Sequence, residues 1–185
     1  MTQPSTPVNP ESIAAAAQRI AGHVRRTPLL RIPGAQLGVG CHQLWLKLEH
    51  LQIGGSFKAR GMFNRMRSLP VPAAGVVVAS GGNAGIAVAQ AARALGVPCE
   101  VFLPELSTAA KRAALAALGA KVVVAGAAYS DAYAACLQRQ QATGALLMHA
   151  YDQPEVVAGA GTLPAEIEAE AGLPDRVLAR LGEER

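Results

Sequence analysis

From residue 75 onward the apolar positions fall in short unbroken runs: VVVA at 76–79, CEVFL at 99–103, KVVV at 121–124 and ALLM at 145–148. A longer stretch with helical spacing follows each run. Apolar runs that do not alternate with polar residues mark strands covered on both faces, and helices of about ten to fifteen residues between them make repeated βαβ units. The pattern predicts an α/β fold, an open parallel sheet with helices on both faces. Gly96, Gly119 and Gly144 stand where the intervening helices should end.

The two ends are less regular. Asn9-Pro10-Glu11 predicts an N-cap followed by proline at the first helical position, opening a helix over ESIAAAAQRIAGHV that TPLL, near residue 27, ends. LWLKLEH at 44–50 predicts a strand, and GSFKARGMFNRMRSL a helix with Ser56 as its cap. A last helix begins at Gln153, and Pro164 should kink or interrupt it. PDRVLARLGEER then puts charge where one more buried strand is expected.

Composition narrows the class. In 185 residues, 51% apolar and 16% charged, there is enough to bury a core and too little charge for a disordered chain. The net charge of +4 suits an anionic ligand, but 17 basic residues scattered among 13 acids, with 4% aromatics, form no basic stripe, so nucleic acid is not an expected partner. Without a run of about 18 apolar residues, and with the polar start MTQPSTPVNPES, neither a membrane span nor a secretory leader is expected. Cys41, Cys99 and Cys136 are odd in number and form no CxxC pair, which argues against a disulfide framework and a zinc site and for a reducing, cytoplasmic location.

Two segments carry candidate chemistry. Lys58 lies in the first turn of a helix just after Gly54 and Gly55; the positive helix start and the nearby Arg60 should both lower its pKa, and only a neutral amine attacks an aldehyde. The plainer alternative is a surface lysine near a helix start. Ser80-Gly81-Gly82-Asn83-Ala84-Gly85 sits between strand VVVA and helix IAVAQAARAL, where glycines and helix N–H groups suit a carboxylate or phosphate. An ordinary tight βα turn is the alternative there. The glycine spacing misses GxGxxG and no GK[ST] follows, although Glu105, at the next strand end, keeps a dinucleotide reading open. Ser107 and Lys111 are spaced one residue too far apart for SxxK, the partner motifs are absent, and the segment reads as a capping serine with a surface lysine. The four histidines have no ligand spacing, and Glu166, Glu168 and Glu170 read as a solvated helix face, so no metal is expected.

In order and spacing, LWLKLEHLQIGGSFKARG, VVVASGGNAGIAVAQAARALGVP, VFLPELSTAAKRAALAALGAKVVV and HAYDQPEVVAGAGTL resemble the fold-type II pyridoxal-phosphate enzymes, and among them the threonine/serine dehydratases, over residues 28–175. The resemblance implies a tryptophan-synthase-β-like fold in which 47–155 form a smaller domain. Residues 1–46 belong to a larger one whose second part starts at 156–185 and is otherwise missing. It implies pyridoxal 5'-phosphate as cofactor, a small amino acid as substrate, and a homo-oligomer if the chain is complete. Lys58 would carry the cofactor as a Schiff base and move the substrate's α-proton. Phe57 would flank the cofactor ring, and Asn83 would hydrogen-bond its phenolic oxygen. Ser80, Gly81, Gly82 and Ala84 would cradle the substrate carboxylate, and the reaction would be loss of the β-hydroxyl from threonine or serine to give a 2-oxo acid and ammonia.

Three departures stand out. Gly81 replaces the serine of related racemases, which favours elimination, and Ala84 replaces a histidine common in dehydratases. The family's glycine run for the cofactor phosphate does not follow PDRV, so a truncated or frame-disrupted member is expected, with apolar faces of its terminal helices uncovered. The competing readings are a non-catalytic α/β remnant and a nucleotide- or anion-binding module.

Overall fold

A computed structural model describes residues 8–178. Four strands, β3 (Val76–Ala79), β4 (Cys99–Leu103), β5 (Lys121–Val124) and β6 (Leu146–Met148), form a parallel sheet in the order β5-β4-β3-β6. Helices α3 (Asn83–Leu95), α4 (Ala109–Ala117) and α5 (Tyr129–Thr143) connect them. The strand alternation sorts the core: Val76, Val78, Val101 and Leu103 face the cluster built with α2 (Lys58–Ser68), α3 and α4, while Val77, Ala79 and Phe102 face Ala132 and Cys136 of α5. Both faces are covered, as the unbroken apolar runs require. Gly96 and Gly144 end α3 and α5 at positive φ, and Gly119 follows α4 in the same conformation.

The ends differ from expectation. Helix α1 (Pro10–Ile20) has the predicted Asn9 cap, reinforced by reciprocal bonds between Asn9 and Ser12, but it stops well before Thr27. Thr27-Pro28 leads instead into a strand, β1 (Leu29–Pro33), which pairs antiparallel with β2 (Gln43–Lys47) as a separate two-stranded ribbon. Helix α6 (Pro154–Ala171) runs through Pro164 without a break. Burial explains its continuity, because Val156, Ala158, Gly159 and Thr162 are packed away on the stretch just before the proline. The terminal helices are only partly uncovered: Ala16 and Ile20 of α1 are buried, whereas Val157 of α6 is exposed. The end of the charged tail, 179–185, lies outside the described residues.

Helices α2 and α6 meet backbone to backbone. A Cβ at Gly159 would lie 2.5 Å from the Arg60 carbonyl oxygen and 2.7 Å from Gly61 Cα, and one at Gly61 would lie 2.7 Å from the Val156 carbonyl oxygen. Backbone atoms cannot step aside as a side chain can. Gly159→Ala is therefore expected to lower the unfolding free energy by about 2–3 kcal/mol, while Gly161→Ala, which meets only the Ile13 side chain, costs clearly less. Denaturant midpoints of the two variants check the difference, and equal midpoints would contradict it.

Candidate functional site

Strand topology puts the candidate ligand site at the carboxyl ends of β3 and β6. From β3 the chain builds outward through β4 and β5, then crosses back to place β6 on the other edge of β3, so the strand order reverses there. Parallel sheets leave a ligand crevice at such a point. Register pairs Val78 with Met148, so the turn that starts at Ser80 and the bend through Ala150 leave the sheet from neighbouring strand ends.

Lys58 is the first residue of α2 and half-buried. Its Nζ donates to the Ala150 carbonyl at 3.2 Å and lies 4.3 Å from the centre of the Tyr151 ring and 5.0 Å from that of Phe57. Two rings and a carbonyl hold the ammonium at the strand ends. Phe57 itself is 40% exposed. Gly54 and Gly55, both at positive φ, bring the chain into α2, and a Cβ on Gly54 would touch Ile86 of α3 at 3.4 Å. The lysine segment and the helix that follows the glycine turn are thus neighbours.

In the turn, Ser80 is buried and its Oγ accepts from the Gly82 N–H at 3.3 Å. Gly82 takes the cap position of α3 without a side-chain cap, which leaves the first helical N–H groups, those of Asn83, Ala84 and Gly85, without intrahelical acceptors. Asn83 is exposed, and Ala84 is buried and offers only its backbone. Gly85 is obligatory, since a Cβ would fall 2.0 Å from the Ser80 carbonyl oxygen. At Gly81 a Cβ would meet Leu103 at 3.1 Å and Ser107 Oγ at 3.6 Å. Glu105 is exposed on the loop after β4. Two clefts run along α1, one towards Asn64 and Glu155 and one towards Thr162 and Glu166; neither includes Lys58 or the turn.

Several sequence expectations are corrected. Ser56 does not cap α2: Phe57 takes that position, and the buried Ser56 Oγ has no hydrogen-bond partner. Thr108, not Ser107, caps α4. Arg60 adds no free cation beside Lys58, because its guanidinium is fully buried between two carboxylates. Nε and Nη2 donate to Glu49 at 2.9 and 2.8 Å, and Nη1 and Nη2 donate to Glu166 at 2.7 and 3.0 Å. Glu166 is accordingly not on a solvated face. Burial alone would raise its pKa, but hydrogen bonds from Arg60 and Lys47 outweigh burial and hold the carboxyl below its usual range. The missed signal was periodicity, since Val156, Gly159, Thr162 and Glu166 recur at helical spacing on one buried stripe.

Lys47 Nζ bonds Glu166 at 2.7 Å and the Thr27 carbonyl at 2.8 Å, and Thr27 Oγ1 donates to Glu49 at 2.6 Å, so the polar contacts close into a ring. Elsewhere burial pushes the Cys99 and Cys136 thiols up to about 12, with nearby Glu100 adding to it, and Cys41 alone is exposed. No group of three His, Cys, Asp or Glu suited to a metal occurs among the described residues, and none of their helices is long and apolar enough to cross a membrane.

The chain matches the family described as pyridoxal-phosphate dependent enzyme over residues 20–183. It is 42% identical over 167 residues to the L-threonine ammonia-lyase of Geobacter sulfurreducens, an alignment covering 88% of this chain and 40% of that protein. Among solved structures, a T.th. threonine deaminase superposes with a TM-score of 0.81 at 40% identity, covering 91% of this chain and 52% of that one. Maize serine racemase superposes with a TM-score of 0.80 at 31% identity, covering 87% and 49%. The chain therefore spans about half or less of the length of these proteins.

Two outcomes follow from the charges and thiols. A carboxylate whose folded pKa lies below its unfolded value stabilises the fold above the unfolded pKa and loses that contribution as pH falls through the folded one. Stability should therefore decline from about pH 4.5 downward, and Glu166→Gln should flatten that acid limb in denaturant titrations; an unchanged limb would contradict the assignment. An aromatic disulfide reagent should titrate only Cys41 in the native protein and all three thiols in denaturant.

Proposed function

The chain belongs to the pyridoxal-phosphate dependent enzyme family, and from that membership we propose that it serves an ammonia-lyase acting on L-threonine or L-serine, with Lys58 as the amine that bears the cofactor. The observation that carries this reading is Lys58 half-buried, with its Nζ held on the Ala150 carbonyl just past β6, on a segment whose Gly54 packs against Ile86 of the helix that the Ser80–Gly85 turn opens. The residues suit the cofactor. Phe57 and Tyr151 offer ring faces, and the Ser56 hydroxyl, two residues before the lysine in the chain, is a buried donor without a partner. As part of the same proposal, residues 47–155 act as the smaller domain, with 1–46 and 156–185 contributing to a larger one.

Bound pyridoxal phosphate supplies an electron sink that makes the substrate's α-proton labile and lets the β-hydroxyl leave, after which water releases the 2-oxo acid and ammonia. Lys58 would take the α-proton from the substrate's Cα. The N–H groups that open α3, with Ser80, Gly81, Gly82 and Ala84 around them, hold the substrate carboxylate, where the helix dipole favours an anion. Asn83 projects from the first turn of α3, where its amide can donate to a phenolic oxygen. Gly81 carries no hydroxyl that could handle a proton, and a Cβ there would meet Leu103 at 3.1 Å. That arrangement favours elimination over the return of a proton to the opposite face.

Titration with pyridoxal phosphate should give the yellow absorbance of a protonated Schiff base in the wild type and none in Lys58→Ala, and L-threonine should then bleach or shift it. Equal spectra for the two proteins would sink the proposal. Asn83→Ala should keep the band but displace its pH dependence, because the phenolic oxygen loses its donor.

A further inference from the structure

The lysine and the carbonyl that receives it belong to different elements. Lys58 opens α2, whereas Ala150 lies in the bend between β6 and α6. Gln153, at the cap position of α6, ties that bend to β6: its Oε1 accepts from the His149 N–H and its Nε2 donates to the Leu147 carbonyl. Asp152 in the same bend has a positive φ of 57°. The spacing between amine and acceptor therefore depends on how α2 sits against α6.

The backbone contact between these helices does not fix that setting. Side chains tie it instead: Val156 Cγ1 sits over Gly61, and at the start of α6 Asn64 Nδ2 donates to the Glu155 carbonyl at 2.6 Å while Arg65 pairs with the Glu155 carboxylate. Arg60 adds the tie nearest Lys58, at the other end of α2 from Asn64 and Arg65. It lies two residues after Lys58, about 3 Å along the axis and on the opposite side of the helix, and is fully buried. Its fork grips Glu166 of α6 with two bonds and Glu49 with two more, and adds Thr162 Oγ1 at 3.2 Å. A fork bonded on both edges is intolerant of displacement in a way that a point charge is not. Lys47 and Thr27 close the ring, giving two cations and two carboxylates.

We propose that this ring, centred on Arg60 and Glu166, is a positioning device for Lys58: it locks the register of α2 against α6 and so sets the amine against the strand-end crevice. The inference rests on the reading of Lys58 as the reactive lysine, but its test does not need bound cofactor. Trace acetylation of the full chain, without pyridoxal phosphate and across a pH series, reads the labelling of Lys58 relative to the exposed Lys111 by mass spectrometry.

In the wild type Lys58 should label more slowly than Lys111, being half-buried and held on Ala150. In Arg60→Lys and Glu166→Gln the ratio should rise about tenfold, the equivalent of one pK unit. Glu100→Gln, in a separate ion cluster with Arg139 and Lys121, should leave it unchanged. Should either ring variant fail to fold, Thr27→Val removes only the hydroxyl bond to Glu49 and should raise the ratio by a smaller but measurable factor. Folded variants with a wild-type ratio would overturn the proposal and leave the ring a support of the fold alone. An absent Schiff-base band in the wild type would instead remove the functional reading, and the acetylation ratios would still decide the positioning.

Discussion

A guanidinium with no exposed surface sits at the centre of the described chain, and much of its arrangement follows from the need to satisfy it. A buried charge is tolerable only when paired and fully hydrogen-bonded, and removing one partner from such a pair costs on the order of 3–5 kcal/mol. Arg60 meets that requirement by drawing Glu49 from the turn after β2, Glu166 from α6 and the Arg25 carbonyl from the segment after α1 onto one helix turn. Burial would disfavour the cation, but hydrogen bonds to Glu49 and Glu166 outweigh it and hold the pKa above its already high value. The N-terminal segments, β2, α2 and α6 are therefore joined by electrostatics as well as by apolar packing.

The sheet contributes a different constraint. Its central strands β3 and β4 are short and buried on both faces, so they present chemistry only at their ends. At those ends the glycine turn after β3 and the bend after β6 lie side by side, and α2 delivers a lysine between two aromatic rings. Rigid elements thus frame the candidate site, and the ion ring, with the Asn64 and Arg65 contacts to Glu155, ties the lysine's helix to α6.

The central sheet is legible in the sequence because its signal is strong and local. Val76 to Ala79, with a glycine-bounded helix after it, admits few other structures, and the turn at Ser80 to Gly85 is visible for the same reason. What the sequence hides is long-range. The strand from Leu29 to Pro33 holds an arginine and ends in proline, so its pairing with Gln43–Lys47 depends on a partner rather than on propensity. Glu166 looks solvated in a run of alternate glutamates, and only its place on the stripe with Val156, Gly159 and Thr162 marks it as inward. Arg60 stands close to Lys58 in sequence, yet the fold sends the two side chains apart to different partners. Ser56 shows the limit of cap rules, because the two positive-φ glycines before it lead the chain into α2 by a different turn.

The proposed chemistry rests on Lys58 being the amine that the fold presents to an aldehyde. Borohydride reduction of the chain with pyridoxal phosphate, followed by peptide mapping, measures this directly. One dominant adduct is expected, on the peptide containing Lys58, at substoichiometric cofactor. An adduct distributed over Lys111 and Lys121, with Lys58 unmodified, would contradict it.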